Sequence, residues 1–119
     1  MEKLTMQEEE AIQLVWKNNG GFVKELLEQM NIDEKIPYTT LASTLRNLER
    51  KGYLKSVKFA NAYRYEPLVS EEEYKKKFMS TFVSSYFKNS YKELVSFFAK
   101  EEKISAKELK DILKMIDDQ

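Results

Sequence analysis

Apolar residues recur every three or four positions through the first fifty residues, and this period predicts helices. The first helix starts at a capping box, Thr5–Glu8, because a threonine hydroxyl and a glutamate carboxylate can satisfy the amides of a helix start. It is expected to end at Gly20. A second short helix is predicted over roughly Phe22–Met30 and a third over Pro37–Gly52, with a polar turn at 31–35 between them.

After Gly52 the helical period gives way to alternation. Residues 53–59 and 62–67 alternate around Ala60-Asn61, which predicts a β-hairpin with Asn61 at its tip and Pro67 at its end. We expect one side of this hairpin to carry Leu54, Val57 and Phe59. Three helices followed by a basic hairpin are typical of a winged helix-turn-helix domain, which we assign to residues 1–69.

A second capping box, Ser70–Glu73, opens a region whose apolar pattern predicts three more helices, the last starting at Ser105. Fifty residues seldom build a core of their own. We therefore expect residues 70–119 to be a dimerisation region packed against a second chain, with packing on the first domain as the alternative. The predicted fold is mainly α with a small β-hairpin: a winged helix-turn-helix plus a C-terminal helical dimerisation region. The side chains expected in the dimer interface are Phe78, Phe82, Tyr86, Phe87, Leu94, Phe98, Leu109, Ile112, Leu113 and Ile116.

The chain contains no cysteine and no histidine among its 119 residues. This composition excludes disulfides and thiolate chemistry, and it removes the commonest general base and metal ligand. Its three glycines cannot form a phosphate-binding loop. We expect neither an enzyme nor a bound cofactor or metal. No apolar run approaches about 18 residues and the start lacks a secretory signal, so the expected location is the cytoplasm.

Charge is balanced overall, with 20 basic and 20 acidic residues, but it is unevenly distributed. Residues 1–34 hold three lysines and eight acids, a net charge of −5. Residues 35–64, here named the basic segment, hold seven basic residues against Glu49 alone, a net charge of +6. A basic segment in a neutral protein is typical of polyanion binding, and the alternative is a solvated face balanced by its acidic neighbour.

The third helix carries an unusual exposed face. Its apolar stripe is Leu41, Leu45 and Leu48, and the opposite side has hydroxyl, amide and guanidinium groups but no acid. Such groups suit base edges and phosphates, whereas an ordinary exposed face is rich in Glu, Lys and Gln. The predicted contacts to double-stranded DNA are Thr39, Thr40, Ser43, Arg46, Asn47 and Arg50 from the helix, joined by Lys55, Lys58 and Arg64 from the hairpin.

This order of elements resembles the BlaI/MecI family, the penicillinase and methicillin-resistance repressors, with the CopY repressors as relatives. The resemblance is carried by Glu9–Lys17 (EEAIQLVWK), by Tyr38–Leu54 (YTTLASTLRNLERKGYL), and by Tyr63–Pro67 with the helix start Ser70–Tyr74. It implies a cytoplasmic homodimeric repressor that places its third helix in the major groove of an inverted-repeat operator, often with TACA/TGTA half-sites. In the family, repression ends when a membrane-bound sensor metalloprotease cleaves the dimerisation tail, or when metal binds in the CopY branch.

Three features depart from the family pattern. The hairpin tip is Ala60-Asn61 where the family usually has Gly-Arg, so a backbone contact from the hairpin falls to one of its three cations. The bond that corresponds to the family's Asn-Phe cleavage point is Phe97-Phe98. The cysteine cluster of the CopY branch is absent, which excludes copper sensing by that chemistry.

A different class of function is open to the same fold: a winged-helix protein-interaction module without specific DNA binding. Zero net charge and the missing arginine at the hairpin tip favour this alternative. The acid-free face of the third helix disfavours it, because a protein interface would carry Leu, Met or Phe there. A small-molecule sensor, the remaining alternative, would require a ligand pocket in the tail.

Overall fold

The computed structural model describes residues 2–117, which form two compact units. The first unit ends at Tyr74 and the second begins at Lys75. Within residues 2–117 no helix is long and apolar enough to cross a membrane. In chain order the elements are α1 (Met6–Asn18), β1 (Gly21–Phe22), α2 (Val23–Glu28), a 3-10 turn (Ile32–Glu34), α3 (Tyr38–Arg50), β2 (Leu54–Phe59), β3 (Ala62–Pro67), α4 (Glu71–Phe87), α5 (Tyr91–Lys100) and α6 (Ala106–Asp117).

The capping boxes predicted from the sequence are confirmed. At the start of α1 the Glu8 amide donates to Thr5 Oγ1 over 3.1 Å, and the Thr5 amide donates to Glu8 Oε1 over 2.8 Å. The same reciprocal pair joins Ser70 to Glu73 before α4, and Ser105 to Glu108 before α6. Each helix of this kind therefore begins where its serine or threonine can satisfy otherwise unpaired amides.

The second helix is shorter than predicted at both ends: Phe22 belongs to strand β1, and the helix ends at Glu28 instead of Met30. Phe22 has extended backbone angles, and its amide donates to the Glu25 carboxylate over 3.0 Å, so the helix begins only at Val23. Strand β1 pairs antiparallel with β3 through Gly21↔Tyr65 and Phe22↔Arg64. A strand of two residues is too short to show an alternation in the sequence, which is why the pattern missed it.

The core of the first unit lies between the three helices and the sheet. The predicted stripe of α3 is confirmed, with Leu41, Leu45 and Leu48 fully buried. They pack with buried apolar side chains of the other elements: Ile12 and Val15 of α1, Leu26 of α2, Leu54 of β2, Tyr65 of β3, and Tyr53 just before β2. The core thus holds α3 by its apolar side and leaves its polar side outward.

The sheet has the order β1-β3-β2, and its register separates the side chains of the hairpin into two faces. Lys58 pairs with Tyr63 and Ser56 with Tyr65, so these four side chains share the face that packs on α3. The expectation that Leu54 shares a side with Val57 and Phe59 is wrong, because residues three apart in a strand point to opposite faces. Leu54 is buried on the face toward α3, whereas Phe59 lies on the outer face, 5.9 Å from the Phe22 ring.

Replacing Gly20 with alanine is expected to destabilise the first unit more than the same change at Gly52. Both glycines have positive φ, +92° and +89°, a conformation that disfavours an L-residue by about 1–2 kcal/mol. A Cβ at Gly20 would also lie 2.6 Å from Arg64 Nη1 and 2.8 Å from the Tyr65 carbonyl oxygen. At Gly52 it would meet no described atom within 4 Å. Urea unfolding measures both variants, and equal losses would show that the crowding at Gly20 relaxes without penalty.

The second unit buries few side chains and displays many apolar ones. Val83 of α4 and Leu94 of α5 are buried. Phe82 lies at the centre of a group of rings, with the centroids of Phe78, Tyr86 and Phe87 within 5.0–6.1 Å. The apolar residues in the second half of α6 are exposed: Ile112, Leu113, Met115 and Ile116. This unit therefore presents an apolar surface that the described residues of one chain leave uncovered.

Candidate nucleic-acid interface

The outward side of α3 carries five of the six helix residues predicted to contact DNA as exposed side chains, and the sixth, Thr40, is half-buried. Arg46 Nη2 donates to Ser43 Oγ over 3.3 Å, which brings a guanidinium and a hydroxyl together on this surface. We name this surface the α3 polar face: Thr39, Thr40, Ser43, Arg46, Asn47 and Arg50. Its groups are hydroxyls, one amide and two guanidinium forks, which can donate to base-edge acceptors and to phosphate oxygens.

The hairpin, which forms the wing, separates its three predicted contacts. Lys58 is exposed on the sheet face that packs on α3, whereas Lys55 is exposed on the outer face. Arg64 also belongs to the outer face and is half-buried, with Nη2 donating to the Asn19 carbonyl oxygen over 3.3 Å. Its Nη1 is buried and has no hydrogen-bond partner among the described residues. The structure therefore brings Lys58 to the side of α3 and leaves Lys55 and Arg64 on the other side of the sheet.

Two tyrosines that were not predicted from the sequence as contacts border the same region. Tyr38 is the first residue of α3 and is 53% exposed; Tyr63 is paired with Lys58 across the hairpin and is 50% exposed. Tyr63 is identified as a neighbour of Lys58 by their pairing across the hairpin. That pairing follows from the hairpin register, which the composition does not reveal. Tyr53 and Tyr65, by contrast, are buried and belong to the core.

Two charged residues of the basic segment are used inside the fold. Glu49, its one acid, accepts hydrogen bonds from the Ser56 amide over 3.1 Å and from Ser56 Oγ over 2.6 Å. Lys51 turns toward the N-terminal segment, where Nζ lies 2.6 Å from Glu8 Oε1 and donates to the Lys3 carbonyl oxygen over 3.1 Å. In these contacts Glu49 pairs with a serine and not with a cation, and Lys51 pairs with an acid outside the basic segment.

The Lys51–Glu8 pair is buried, with side-chain exposures of 11% and 6%. Burial alone would raise the pKa of the Glu8 carboxyl, but the hydrogen bond from Lys51 and the amide of Thr5 together hold that pKa below its ordinary value. Glu8 is therefore a carboxylate in the folded protein, serving both the cap of α1 and the end of α3. This pair stabilises the fold that carries the α3 polar face and is not part of that face.

The residues predicted for the dimer interface differ in their exposure within one chain. Phe78, Tyr86, Phe98, Ile112, Leu113 and Ile116 are exposed, and Phe82, Phe87 and Leu109 are half-buried. Leu94 differs from them because it is already buried within one chain. Among residues 2–117 no group of three or more acidic side chains is placed to hold a metal ion.

Comparison of the amino-acid sequence with known proteins identifies relatives of this chain. The family model described as penicillinase repressor matches residues 4–118. The penicillinase repressor of Staphylococcus aureus is 23% identical over 116 residues, covering 98% of this chain and 92% of its own. The methicillin resistance regulatory protein MecI of Staphylococcus aureus (strain N315) is 21% identical over 110 residues, covering 92% and 89% respectively.

The fold has a counterpart among solved structures. The solution structure of the DNA-binding domain of the repressor BlaI is similar, with a TM-score of 0.53 and 23% sequence identity, and it covers 62% of this chain and 94% of that domain. This likeness supports the winged-helix fold of the first unit. Because the family match spans nearly the whole sequence, the chain belongs to the penicillinase repressor family, whose members are DNA-binding transcriptional repressors and not enzymes.

Proposed function

We propose that this protein represses transcription by binding an inverted-repeat DNA operator as a homodimer, with α3 in the major groove and the wing on the DNA backbone. The observation that carries the proposal is the α3 polar face, which is outward, hydrogen-bonding and without acid on a helix whose other side is anchored in the core. An α-helix fits the major groove, and its hydroxyl, amide and guanidinium groups match base edges there.

The residues of the α3 polar face have different roles in this proposal. Thr39, Thr40 and Ser43, in the first half of the helix, face base edges, since a recognition helix contacts bases mainly through its N-terminal residues. Arg46, Asn47 and Arg50 contact bases or backbone, as guanidinium forks bind both guanine and phosphate. Each base contact would contribute about 1–3 kcal/mol of discrimination.

The homodimer rests on the apolar surface of the second unit. An inverted repeat requires two reading helices related by a twofold axis, and a self-complementary surface provides that symmetry. The exposed side of α6 and the exposed rings of α4 and α5 are the surface that a second chain would cover. Covering large apolar side chains in this way is the principal source of stability in obligate dimers.

Replacing Leu113 with aspartate is expected to convert the dimer to monomers at concentrations where wild type is dimeric. Leu113 is 59% exposed in one chain, so the charge would be tolerated in the monomer but desolvated in the interface. Sedimentation equilibrium measures the change. Lys114→Asp is the control, because it places the same residue at the neighbouring, polar position of α6. An unchanged dimer in Leu113→Asp would contradict the proposed interface.

Lys58→Ala is expected to weaken DNA binding on every sequence and to make its salt dependence shallower by about 0.9 in logarithmic slope, the value for one phosphate contact. Lys55→Ala is the matched control: it removes the same charge from the same strand, but from the outer face. Titration of labelled duplexes at several salt concentrations measures both. If the two variants behave alike, the wing does not present one face to DNA.

A membrane-bound sensor metalloprotease is the partner we propose for release of repression. Its target would be the Phe97-Phe98 bond, which lies within α5. The carbonyl oxygens of Phe97 and Phe98 both accept hydrogen bonds, from the amides of Glu101 and Lys103 over 3.1 and 2.9 Å. A protease needs an extended substrate, so α5 must unwind locally before cleavage. The few buried side chains of the second unit favour such local opening.

The experiment that tests the proposed function is selection of duplexes from a random library, followed by sequencing of the bound fraction. We expect recovery of inverted repeats with half-sites about one helical turn apart, because a dimer places its two α3 helices in successive major grooves. Recovery of duplexes without a common sequence would contradict a sequence-specific repressor and would favour the protein-interaction module.

A further inference from the structure

Glu49 is the only acid in the basic segment, and its position is unfavourable in two respects. It lies in the last turn of α3, where the helix dipole disfavours negative charge. It also lies within a segment of net charge +6 that would face a polyanion. A residue with these disadvantages needs a structural role, and the contacts of its carboxylate show one.

The Glu49 carboxylate joins α3 to the wing. One oxygen, Oε2, accepts from both the amide and the hydroxyl of Ser56, over 3.1 and 2.6 Å, in a partly buried position. Strand β2 lies at the edge of the sheet, with β3 on its other side, and the Ser56 amide is directed to the Glu49 carboxylate. The carboxylate thus covers the edge of β2 and holds it against the end of α3.

This bond lies next to the part of the wing that faces DNA in the proposed function. Ser56 and Lys58 are two residues apart on β2 and share the face that packs on α3. The other contacts of the outer half of the wing lie on the β3 side or on the outer face, namely the pairing of Phe22 with Arg64 and the ring contact of Phe59 with Phe22. The Glu49–Ser56 bonds hold the β2 edge on the side of α3. Fixing Ser56 therefore fixes the direction in which Lys58 leaves the sheet.

We propose that Glu49 is a positioning residue that sets the place of the wing, and of Lys58, relative to the recognition helix, and so determines the backbone contact of the wing. This role rests on the proposed function, since it concerns how the same surface meets DNA. Glu49 does not touch DNA. It acts through Ser56 and Lys58.

The proposal predicts a result opposite in sign to that of simple electrostatics. If Glu49 were only a negative charge near DNA, Glu49→Ala would tighten binding and leave the contribution of Lys58 intact. If Glu49 positions the wing, the same variant weakens binding and makes the salt dependence shallower by up to about 0.9, because the phosphate contact of the wing is lost. The two accounts are therefore distinguished by the direction of one measurement.

Two further variants separate charge from position. Glu49→Gln removes the charge but keeps a carbonyl oxygen that can accept from Ser56, so the salt slope should stay within about 0.2 of wild type. Ser56→Ala keeps the charge but removes the hydroxyl donor, so it should weaken binding in the same direction as Glu49→Ala. No electrostatic effect of Glu49 predicts both results.

The deciding experiment is a double-mutant cycle on an operator duplex, with Glu49→Ala, Lys58→Ala and the combination, titrated at three salt concentrations. We expect Lys58→Ala to weaken binding about fivefold or more in wild type and less than about twofold in the Glu49→Ala background. Amide hydrogen exchange in the absence of DNA provides a second readout: the Ser56 amide should lose protection in Glu49→Ala and retain it in Glu49→Gln.

Each outcome of the cycle has one meaning. Additive effects, or tighter binding by Glu49→Ala with the slope unchanged, overturn the positioning role and leave the proposed function standing. Absence of salt-dependent binding by the wild-type chain overturns the proposed function and this role with it. A Ser56 amide that stays protected in Glu49→Ala shows that the wing is held by other contacts and likewise overturns the role.

Discussion

Replacing Lys51 with methionine is expected to lower the free energy of unfolding by about 3–5 kcal/mol, the range for removing one partner of a buried ion pair. Methionine keeps an unbranched apolar side chain, so the packing of the stem is largely retained. What is lost is the ammonium group 2.6 Å from Glu8 Oε1 and its bond to the Lys3 carbonyl oxygen. Glu8 is then left as a buried charge without its counter-ion. Urea unfolding at neutral pH measures the loss.

The same variant should have a characteristic pH dependence. In wild type the pKa of Glu8 is lowered, so its carboxylate stabilises the fold above the unfolded pKa, and that contribution is lost as pH falls through the folded pKa. In Lys51→Met the ammonium no longer offsets the cost of burying the Glu8 carboxylate. Protonation of Glu8 therefore raises the stability of the variant. The difference in stability between the two proteins should therefore be largest near neutral pH and shrink as pH falls below 4.5, the ordinary pKa of a glutamate.

Lys17→Met is the control for this prediction. Lys17 is exposed in the last turn of α1, where its loss should change stability by no more than about 1 kcal/mol. If Lys51→Met changed stability as little as the control does, the ion pair would contribute nothing net. If its loss were independent of pH, the defect would come from packing and not from the charge of Glu8.

Placing an acid on the α3 polar face should have the largest effect on DNA binding. Ser43→Glu introduces a negative charge at the exposed centre of this face, where the proposal puts the DNA bases between two phosphate backbones. Like charges brought together in an interface oppose binding by several kcal/mol. Taking about 3 kcal/mol, operator affinity should fall by about a hundredfold. Fluorescence anisotropy with a labelled operator measures it.

Gln13→Glu provides the matched control for Ser43→Glu. It adds the same charge to an exposed position of the same unit, but on α1. We expect it to reduce affinity by a small factor that disappears at high salt, because exposed charges separated by more than a Debye length are screened. Equal effects of the two variants would mean that only the total charge of the domain matters, and α3 would not be the reading helix.

The elements that the sequence pattern predicted are those with local causes. The capping boxes at Thr5 and Ser70 form between residues three apart, and the stripe Leu41–Leu48 depends only on the helical period. The hairpin turn at Ala60-Asn61 likewise follows from the two alternating segments that flank it. The fold class and the α3 polar face could therefore be predicted from the amino-acid sequence alone.

The contacts that could not be predicted join residues far apart in the chain. The Lys51–Glu8 pair spans 43 residues, and nothing local distinguishes Lys51 from an exposed lysine. The separation of Lys55 from Lys58 depends on the hairpin register, and the burial of Arg64 depends on its approach to Asn19 across the sheet. The three hairpin cations predicted from the sequence to contact DNA thus lie on both faces of the sheet. The tertiary structure is needed to assign each cation to its face.

Titration of the full chain against a palindromic duplex with TACA/TGTA half-sites, and against a scrambled duplex of the same length, tests the proposed repressor function most directly. Both should be measured at two salt concentrations, with the stoichiometry determined at saturation. We expect tight binding that prefers the palindrome, falls steeply with salt and saturates at two chains per duplex. Weak binding of equal strength to both duplexes, together with equally weak binding to the duplexes recovered by selection, would contradict sequence-specific repression.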